Sequence, residues 1–303
     1  MCAATGGVVF QARYTLKQLE YFVATAEAGT LKAAAERCHV SHVGIGIALT
    51  ELERALGIQL FVRRRAKGVS LTPAGRRALA EARTVLSFAT ELQLRAEAAG
   101  GQVAGSLKVG YHPGLGPFYL PEILDVFARS HPRLTLSFHE GTQPELERRL
   151  LDGDIEVALL YERRPGEGLD LDEIARLRPY VLLAADHPLA AEPELSLADL
   201  EGQQRIRLSI PLPDEDDFAA RSGEELIHTS NLELVRSLVG RGLGYALLAQ
   251  RPPDSRTYDG REVVSRPLRD ATADIAIVMA HASGAPLTRR ATALRDFCRT
   301  IAA

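Results

Sequence analysis

The stretch from Leu16 to Gly75 constrains the fold more than any other part of this 303-residue chain. Apolar residues recur there at helical spacing in three successive segments. We expect Gly29 to end the first helix and Thr30 to cap the second. Ser41 is a suitable cap for a third helix, which Gly57 would end. Two short helices, a tight turn and a third helix predict a helix-turn-helix.

The apolar residues of each segment fall on one face, which we expect to be buried. The expected buried positions are Leu16, Leu19, Phe22, Val23 and Ala26 in the first helix, Leu31, Ala34, Ala35 and Cys38 in the second, and Ile45, Leu49, Leu52 and Leu56 in the third. The opposite face of the third helix is then free to enter a groove of nucleic acid.

A basic segment follows the third helix. Residues 59–62 and 69–71 read as two short strands, and the cations between them are Arg63, Arg64, Arg65 and Lys67. A hairpin tip of this kind suits a phosphate backbone, because each contact releases bound counterions. The alternative is a solvated loop, but a position directly after a helix-turn-helix favours a DNA-contacting wing.

The charge distribution agrees with nucleic-acid binding at one end of the chain. The net charge is −3, yet residues 13–77 carry 11 Lys and Arg against 5 Asp and Glu. The remainder carries 25 Lys and Arg against 34 Asp and Glu. A basic N-terminal module on an acidic body is typical of a protein that binds nucleic acid through one domain.

The segments LKQLEYFVATAEAGT, AAAERCHVS, LTELERALGIQLFVR and LTPAG resemble the N-terminal domain of LysR-type transcriptional regulators. Further segments resemble the effector-binding half of the same family: VGYHPGLGPFYLPEIL, LLDGDIEVALL, ADHPLA and LVRSLVGRGLGYALL. The resemblance implies an α/β protein with a winged helix-turn-helix, a long linker helix and a two-subdomain effector domain like periplasmic binding proteins. It also implies double-stranded DNA, a small-molecule effector and a homodimer or homotetramer as partners.

Composition shifts and the resemblance together divide the chain into parts. The expected parts are a disordered extension at 1–13, the winged helix-turn-helix DNA-binding domain at 14–73, the linker helix and hinge at 74–105, and the effector-binding domain at 106–303. Within the effector-binding domain we expect subdomain I at 106–178 and 268–303, and subdomain II at 179–267. The chain would cross between the subdomains near Arg178 and near Pro267.

The third helix departs from the resembling family at the positions that face a groove. The family usually has Ser-Gln-Pro/Ser-Ala-Val/Leu-Ser and then a polar residue, where this chain has Ser41-His42-Val43-Gly44-Ile45-Gly46-Ile47. Val43 and Ile47 can make only apolar contacts, for example with a thymine methyl group. Two interpretations stay open: weak sequence discrimination with affinity carried by the wing, or an unusual thymine-rich site read by methyl contacts and His42.

The candidate DNA contacts come from the second helix cap, the third helix and the wing. They are Thr30, Ser41, His42, Val43, Gly46, Ile47, Arg63, Arg64, Arg65 and Lys67. A long helix should follow, since Pro73 suits a first helical position and breakers are almost absent up to about Ala99. Its spacing of three and four predicts a paired contact with a second subunit through Leu79, Ala82, Leu86, Ala89, Gln93 and Ala96. The alternative is a helix that lies on its own domain.

From Leu107 onward, strands alternate with helices, which predicts parallel strands with helical crossovers. The expected strands are 107–111, 134–138, 155–160, 180–184, 206–208, 245–248 and 274–279. The expected helices are 121–130, 144–152, 198–200, 232–240 and 287–301. In the first of these helices, Ile123, Leu124 and Phe127 should face inward.

Open α/β sheets bind ligands at the carboxyl ends of their strands. The candidate effector contacts at such ends are His112, Gly114, Leu115, Gly116, Thr142, Ser230 and Asn231. The glycines could instead form a plain strand-to-helix turn, and the short polar residues could equally be helix caps. The acidic run at 213–217 would repel an anionic effector if it rims the cleft, or it is an exposed loop.

Other functional classes find less support in the sequence. Cys2, Cys38 and Cys298 lack metal-ligand spacing, so we expect no metal or cofactor and a reducing, cytoplasmic location. The chain has no GxSxG, HExxH, GxGxxG or P-loop, so no enzyme activity is predicted. Residues 1–13 make a poor signal peptide, and no run of 18 apolar residues predicts a membrane span. A solute-binding module and a small-molecule enzyme remain the alternative functions.

Overall fold

The computed structural model describes residues 12–64, 68–97, 103–162, 167–209, 225–269, 274–284 and 286–302. These residues divide into two compact units, the first reaching residue 97 and including 151–154, and the second containing the rest. Four sets of predicted positions lie outside the described residues: most of the extension at 1–13, Arg65, Lys67 and the acidic run at 213–217.

The first unit is a winged helix-turn-helix followed by a long helix. Its elements are α1 (Leu16–Ala28), α2 (Leu31–Arg37), α3 (His42–Leu56), β1 (Phe61–Arg64), β2 (Gly68–Leu71) and α4 (Pro73–Glu97). The predicted helix ends are confirmed. Gly29 and Gly57 end α1 and α3 in the left-handed conformation, with φ of 68° and 69°. The side chains of Thr30 and Ser41 cap α2 and α3.

The apolar faces of α1 and α3 meet in the core of this unit. Phe22 and Leu52 are completely buried, and the rings of Phe22 and Phe61 meet edge to face with centroids 5.5 Å apart. The inward prediction is wrong for Leu16, which is 47% exposed. Leu16 is the first residue of α1, so it lies at the edge of the apolar face and the core does not reach it.

The two-stranded wing is fastened to the helix-turn-helix at its base. The Val69 N–H donates to the Gly29 carbonyl at 2.9 Å. A Cβ at Gly68 would lie 2.3 Å from that same carbonyl oxygen, so this position requires glycine. The first strand was predicted at 59–62, but it begins at Phe61 and includes Arg63 and Arg64, which pair with Val69 and Gly68.

The Thr72 side chain caps the first turn of helix α4. The Thr72 hydroxyl accepts from the Gly75 N–H at 2.8 Å and donates to the Gln59 carbonyl at 2.6 Å. Leu79 and Ala82 are buried in the core of their own unit. The predicted pairing seam is therefore wrong for these two residues, because α1 already covers them. Farther along α4, Val85 is 37% exposed and Leu92 is 71% exposed.

The second unit is an α/β structure. Its strands are β3 (Gly105–Tyr111), β4 (Leu134–Glu140), β5 (Val157–Tyr161), β6 (Leu169–Leu177), β7 (Tyr180–Ala184), β8 (Arg205–Leu208), β9 (Glu225–Thr229), β10 (Ala246–Leu248), β11 (Val263–Pro267) and β12 (Ile275–Ala282). Its α-helices are α5 (Gly116–Glu122), α6 (Ala128–Ser130), α7 (Gln143–Leu151), α8 (Leu232–Gly240) and α9 (Arg289–Ala302). A π-helical segment (Ile123–Phe127) joins α5 to α6, and short 3₁₀ turns occupy Pro188–Ala191 and Ala198–Leu200.

The strands form two sheets and one separate pair. The five-stranded sheet has the order β4-β3-β5-β12-β6, the three-stranded sheet has the order β10-β7-β11, and β8 pairs with β9. Parallel pairing is confirmed for β3 with β4, β3 with β5 and β8 with β9. It is wrong elsewhere, since β12 runs antiparallel to both β5 and β6, and β7 runs antiparallel to both of its neighbours.

Three strands were not predicted, namely β6, β9 and β11. Strand β6 reads LDLDEIARL, in which charged residues interrupt the apolar ones, and it forms an edge of the five-stranded sheet. Strand β6 ends at Leu177 in this sheet, and β7 begins at Tyr180 in the other. Likewise β11 ends at Pro267 in the three-stranded sheet and β12 begins at Ile275 in the five-stranded one.

The helical segment predicted at 121–130 begins earlier, at Gly116, and contains Pro121 within its first helix. Ile123 and Phe127 are buried as predicted, but Leu124 is 53% exposed. The π-helical segment widens the helix there, so residues four apart face the core and Leu124 turns outward. No helix in the described ranges is long and apolar enough to cross a membrane.

Candidate DNA-binding surface and effector cleft

Helix α3 presents a mixed polar and apolar face to solvent. His42 is exposed, Val43 is 68% exposed and Ile47 is 55% exposed, whereas Ile45 between them is completely buried. The Ser41 hydroxyl accepts from the Gly44 N–H at 3.0 Å and fixes the first turn. The positions predicted from sequence on α3 therefore do share one surface, which contains a depression of about 490 Å³.

Two other predicted contacts flank α3 in the same unit. Thr30 is exposed, and its hydroxyl accepts from the Ala33 N–H at 3.2 Å as the cap of α2. Arg63 and Arg64 are in β1, so their backbone positions are described, although their side chains are not. The wing and the exposed face of α3 together form the candidate DNA-binding surface.

The loops that follow β3 and β4 lie side by side at the carboxyl ends of these parallel strands of the five-stranded sheet. Tyr111 is in register with Glu140 on one side and with Leu159 on the other. The Gly141 N–H donates to the Tyr111 carbonyl at 3.3 Å, which holds the two loops side by side. His112, Gly114 and Thr142 are therefore brought to the same end of the five-stranded sheet, the end at which open α/β sheets bind ligands.

His112 is a buried, neutral side chain at this edge. It is 8% exposed, and its ring meets the Tyr161 ring edge to face with centroids 5.2 Å apart. Its Nδ1 accepts from the Gly114 N–H at 3.1 Å, which leaves the proton on Nε2. Burial lowers the pKa of His112, against a smaller opposing effect of Glu140. The imidazole is therefore a neutral hydrogen-bond donor at pH 7.

The loop after His112 has a different role at each predicted position. A Cβ at Gly114 would lie 3.1 Å from the Tyr161 hydroxyl, so that hydroxyl occupies the space beside this glycine. A Cβ at Gly116 would lie 2.8 Å from the Tyr111 ring, so packing already requires glycine there. Leu115 is completely buried in the core, and its side chain is not available to a ligand in this conformation.

One of the three short polar candidates caps a helix through its side chain. The Asn231 side-chain oxygen accepts from the Leu234 N–H at 3.0 Å and caps α8. The Thr142 hydroxyl donates to the Glu145 carboxylate at 2.8 Å in the first turn of α7. Ser230 is exposed, directly after the carboxyl end of β9. The capping alternative is thus confirmed for Asn231.

Sequence reasoning missed Tyr161, whose hydroxyl lies beside Gly114, and Gln250, whose side chain neighbours Tyr161. Gln250 is 8% exposed, so its side-chain amide is largely shielded from solvent. Its amide lies beside the Tyr161 hydroxyl, and burial raises the pKa of that tyrosine. The Tyr180 hydroxyl donates to the Gln250 carbonyl at 2.9 Å. Tyr161 ends β5 and Gln250 closely follows β10, so the strand-end rule could have found both.

No group of three or more His, Cys, Asp or Glu side chains in the described ranges could hold a metal ion. The polar cluster of His112, Tyr161 and Gln250 is thus an arrangement of uncharged hydrogen-bonding groups. It joins the five-stranded sheet, through Tyr161, to the segment that follows β10 of the three-stranded sheet, through Gln250.

Comparison with known proteins gives a family match for each part of the chain. Residues 16–76 match the family described as "Bacterial regulatory helix-turn-helix protein, lysR family", and residues 100–303 match "LysR substrate binding domain". The chain is 31% identical over 295 residues to the hydrogen peroxide-inducible genes activator of Pectobacterium carotovorum subsp. carotovorum, covering 94% of this chain and 95% of that one. It is 30% identical to the Hca operon transcriptional activator HcaR of Escherichia coli, covering 93% and 95%.

Solved structures give the same result. Full-length OxyR C199D from Pseudomonas aeruginosa superposes with a TM-score of 0.76 at 27% identity, covering 95% of this chain and 99% of that one. HinK, a LysR family transcriptional regulator from the same species, superposes with a TM-score of 0.61 at 31% identity, covering 95% and 98%. The chain therefore belongs to the LysR family of bacterial helix-turn-helix regulators, with a DNA-binding domain followed by an effector-binding domain.

Proposed function

We propose that a small polar effector without net negative charge binds between the two subdomains and controls binding of duplex DNA by α3 and the wing. The observation that carries the proposal is the cluster of His112, Tyr161 and Gln250, uncharged hydrogen-bonding side chains where strand ends of the two sheets come together. Buried polar groups that are imperfectly paired cost stability, so a ligand that completes their hydrogen bonds recovers part of the loss. His112 supplies a donor through Nε2–H.

The charge of the effector follows from the groups around this cluster. His112, Tyr161 and Gln250 are uncharged, and burial disfavours ionisation of both titratable members. Glu140 ends β4 and Glu162 directly follows β5, so carboxylates stand at the same sheet edge. They would repel an anion. An effector rich in hydroxyl, amide or carbonyl oxygens fits these groups, with Thr142, Ser230 and Asn231 as further contacts.

We do not propose direct sensing of hydrogen peroxide by a thiol, although several relatives are named for peroxide induction. Peroxide oxidises exposed thiolates of low pKa. Cys298 is the only cysteine in residues 100–303 of the sequence, and it is completely buried. Burial raises the pKa of its thiol to about 12, so the thiolate is scarce at neutral pH.

We also infer that α4 pairs with a second copy through its exposed apolar positions. Val85, Ala89 and Leu92 follow one another at spacings of four and three, and the first and last are exposed. This is the spacing of a two-helix contact. The seam is shifted from the one that the sequence predicted, because Leu79 and Ala82 are committed to their own core.

The remaining assignments follow from the regulatory role. A protein that acts on the bacterial chromosome works in the cytoplasm, which we propose as its location. We propose no catalytic activity, because a tyrosine hydroxyl and an amide beside a neutral histidine provide binding groups and not an activated nucleophile.

The effector proposal is tested by thermal unfolding of the intact protein with two sets of probes. One set contains uncharged sugars, alcohols and amides, and the other contains mono- and dicarboxylates. We expect stabilising compounds in the uncharged set, and we expect Gln250→Leu and Tyr161→Phe to abolish their effect. Thr142→Ser is the matched control, since it keeps the hydroxyl that donates to Glu145. Stabilisation confined to the carboxylates, or unchanged in Gln250→Leu, would contradict the proposal.

A further inference from the structure

Helix α3 carries an apolar surface where base-reading side chains are expected to be polar. Val43 and Ile47 lie one turn apart, 68% and 55% exposed. They are off the buried stripe of Ile45, Leu49 and Leu52, so the core gains nothing from them. Val43 and Ile47 thus form an apolar patch on the solvent-exposed face of α3. A patch of this kind marks a surface that a binding partner covers.

Few polar groups on this face are free to read a base. The Thr50 hydroxyl donates to the Gly46 carbonyl at 2.9 Å, so its proton is already used. Glu51 accepts from the Gln18 side chain at 3.1 Å. His42 is exposed at the start of the helix, and the exposed Arg54 lines the same depression. Hydrogen-bond readout from α3 would thus rest mainly on His42 and Arg54.

The same surface is concave where a side chain is missing. A Cβ at Gly46 would meet no atom within 4 Å, so the space above this residue is open. Val43, Ile47 and Thr50 border it, and Leu31 of α2 lines the same depression. The result is a notch on the exposed surface of the third helix of a helix-turn-helix. Leu31, Val43 and Ile47 form its apolar walls, and His42, Glu51 and Arg54 are part of its polar lining.

We propose that this notch receives the C5-methyl group of thymine in the major groove of duplex DNA. In the major groove a thymine presents an acceptor oxygen and a methyl group, and apolar side chains contact the methyl. Duplex DNA is the occupant because the notch is continuous with the DNA-binding surface of a basic domain that has 11 cations against 5 acids in residues 13–77. The inference rests on DNA binding through α3 and names the feature of the base that α3 reads.

Replacement of thymine by deoxyuridine tests the proposal, because it removes the methyl group and leaves the hydrogen-bonding edge unchanged. The intact protein is first used to select its preferred duplexes from a random library. The selected duplex is then resynthesised with deoxyuridine at one thymine at a time. We expect affinity to fall about fourfold at one or two thymines, the factor that corresponds to one buried methylene. Equal affinity for thymine and uracil at every position would overturn the proposal.

Protein variants assign the effect to the notch. Ile47→Ala removes a wall and Gly46→Ala fills the floor, and neither disturbs a packed neighbour. Both should bring the thymine-to-uracil ratio close to one. Leu16→Ala, an exposed apolar residue on α1, should keep the wild-type ratio. A ratio that survives in Ile47→Ala and Gly46→Ala would refute the assignment, whereas absence of all duplex binding would refute DNA recognition itself.

Discussion

Replacement of Gly46 by alanine should stabilise α3 without any change to the core. Glycine in a helix interior costs about 1 kcal/mol relative to alanine, because its backbone loses more conformational freedom on folding. At Gly46 the added Cβ meets nothing within 4 Å, so no steric term opposes the gain. The expected increase in the local free energy of unfolding is therefore about 1 kcal/mol, or roughly a fivefold slower exchange of the amides of α3.

Gly44 provides the matched comparison within the same helix. A Cβ at Gly44 would lie 3.0 Å from the Ser41 hydroxyl oxygen, the group that caps α3 through the Gly44 N–H. An N-cap contributes about 1 kcal/mol, so disturbing it offsets most of the helix-propensity gain. We expect Gly44→Ala to leave the stability of α3 nearly unchanged, unlike Gly46→Ala.

Hydrogen exchange of the intact protein, followed by mass spectrometry of peptides that cover His42–Leu56, measures both effects. Peptides from the five-stranded sheet serve as an internal reference, since neither substitution is near it. Equal protection gained by Gly44→Ala and Gly46→Ala would refute this explanation, because the Ser41 cap would then place no constraint on residue 44. No gain in Gly46→Ala would show that another opening event already limits exchange in α3.

The remaining predictions concern charge, assembly, redox chemistry and pH. Changing Arg63, Arg64, Arg65 and Lys67 to alanine should flatten the slope of log DNA affinity against log salt concentration by about one unit for each phosphate that the wing no longer neutralises. An unchanged slope in a salt titration would mean that the segment is a solvated loop. Leu92→Glu should lower the molar mass measured by light scattering towards that of the monomer. Leu124→Glu, on the exposed side of its helix, is the control for added charge alone. Hydrogen peroxide should not change DNA binding of Cys38→Ser protein, and a reversible change that requires Cys298 would contradict a buried, inert thiol. Burial lowers the pKa of His112 below 6.5, so the unfolded chain binds a proton more readily than the folded protein as pH falls through 6.5. The folded protein should therefore lose stability in this range. Urea unfolding from pH 7.5 to 5 should show a smaller loss of stability in His112→Asn.

Residues that cap or end helices made the N-terminal unit predictable from sequence. Gly29, Thr30, Ser41 and Gly57 each have one favourable conformation or one capping role, so they fix the helix ends independently of the rest of the fold. The closeness of the wing to α1 was not predictable. It depends on the approach of Gly68 to the Gly29 carbonyl, a contact between residues far apart in sequence.

The C-terminal unit was predicted less completely for a physical reason. Strand β6 is an edge strand with charged residues, so its apolar pattern is weak, although its pairing with β12 is extensive. Leu124 was misplaced because a π-helical segment changes the helical period locally. The seam on α4 was partly wrong because a spacing of three and four is the same for a helix that packs on its own domain and for one that pairs with a second copy.

The cluster of His112, Tyr161 and Gln250 was also only partly predictable from the sequence. His112 was found because it directly follows a strand, but Gly116 and Leu115 are explained by packing with Tyr111 and with the core. Tyr161 and Gln250 end or follow apolar runs in two different subdomains, and only the fold brings them together. The sequence therefore locates the strand ends where we propose that a ligand binds, whereas the hydrogen-bonding groups at those ends come together only through tertiary contacts.

Selection of duplexes from a random library by the intact protein, at near-physiological salt and with sequencing of the bound fraction, is the most direct test of DNA recognition by α3 and the wing. We expect enrichment of a paired motif whose halves are about one helical turn, or a multiple of it, apart, with thymines at fixed positions in each half. Enrichment should disappear when Arg63, Arg64, Arg65 and Lys67 are replaced by alanine. A bound fraction indistinguishable from the starting library, with affinity unaffected by salt, would contradict recognition of DNA by this surface.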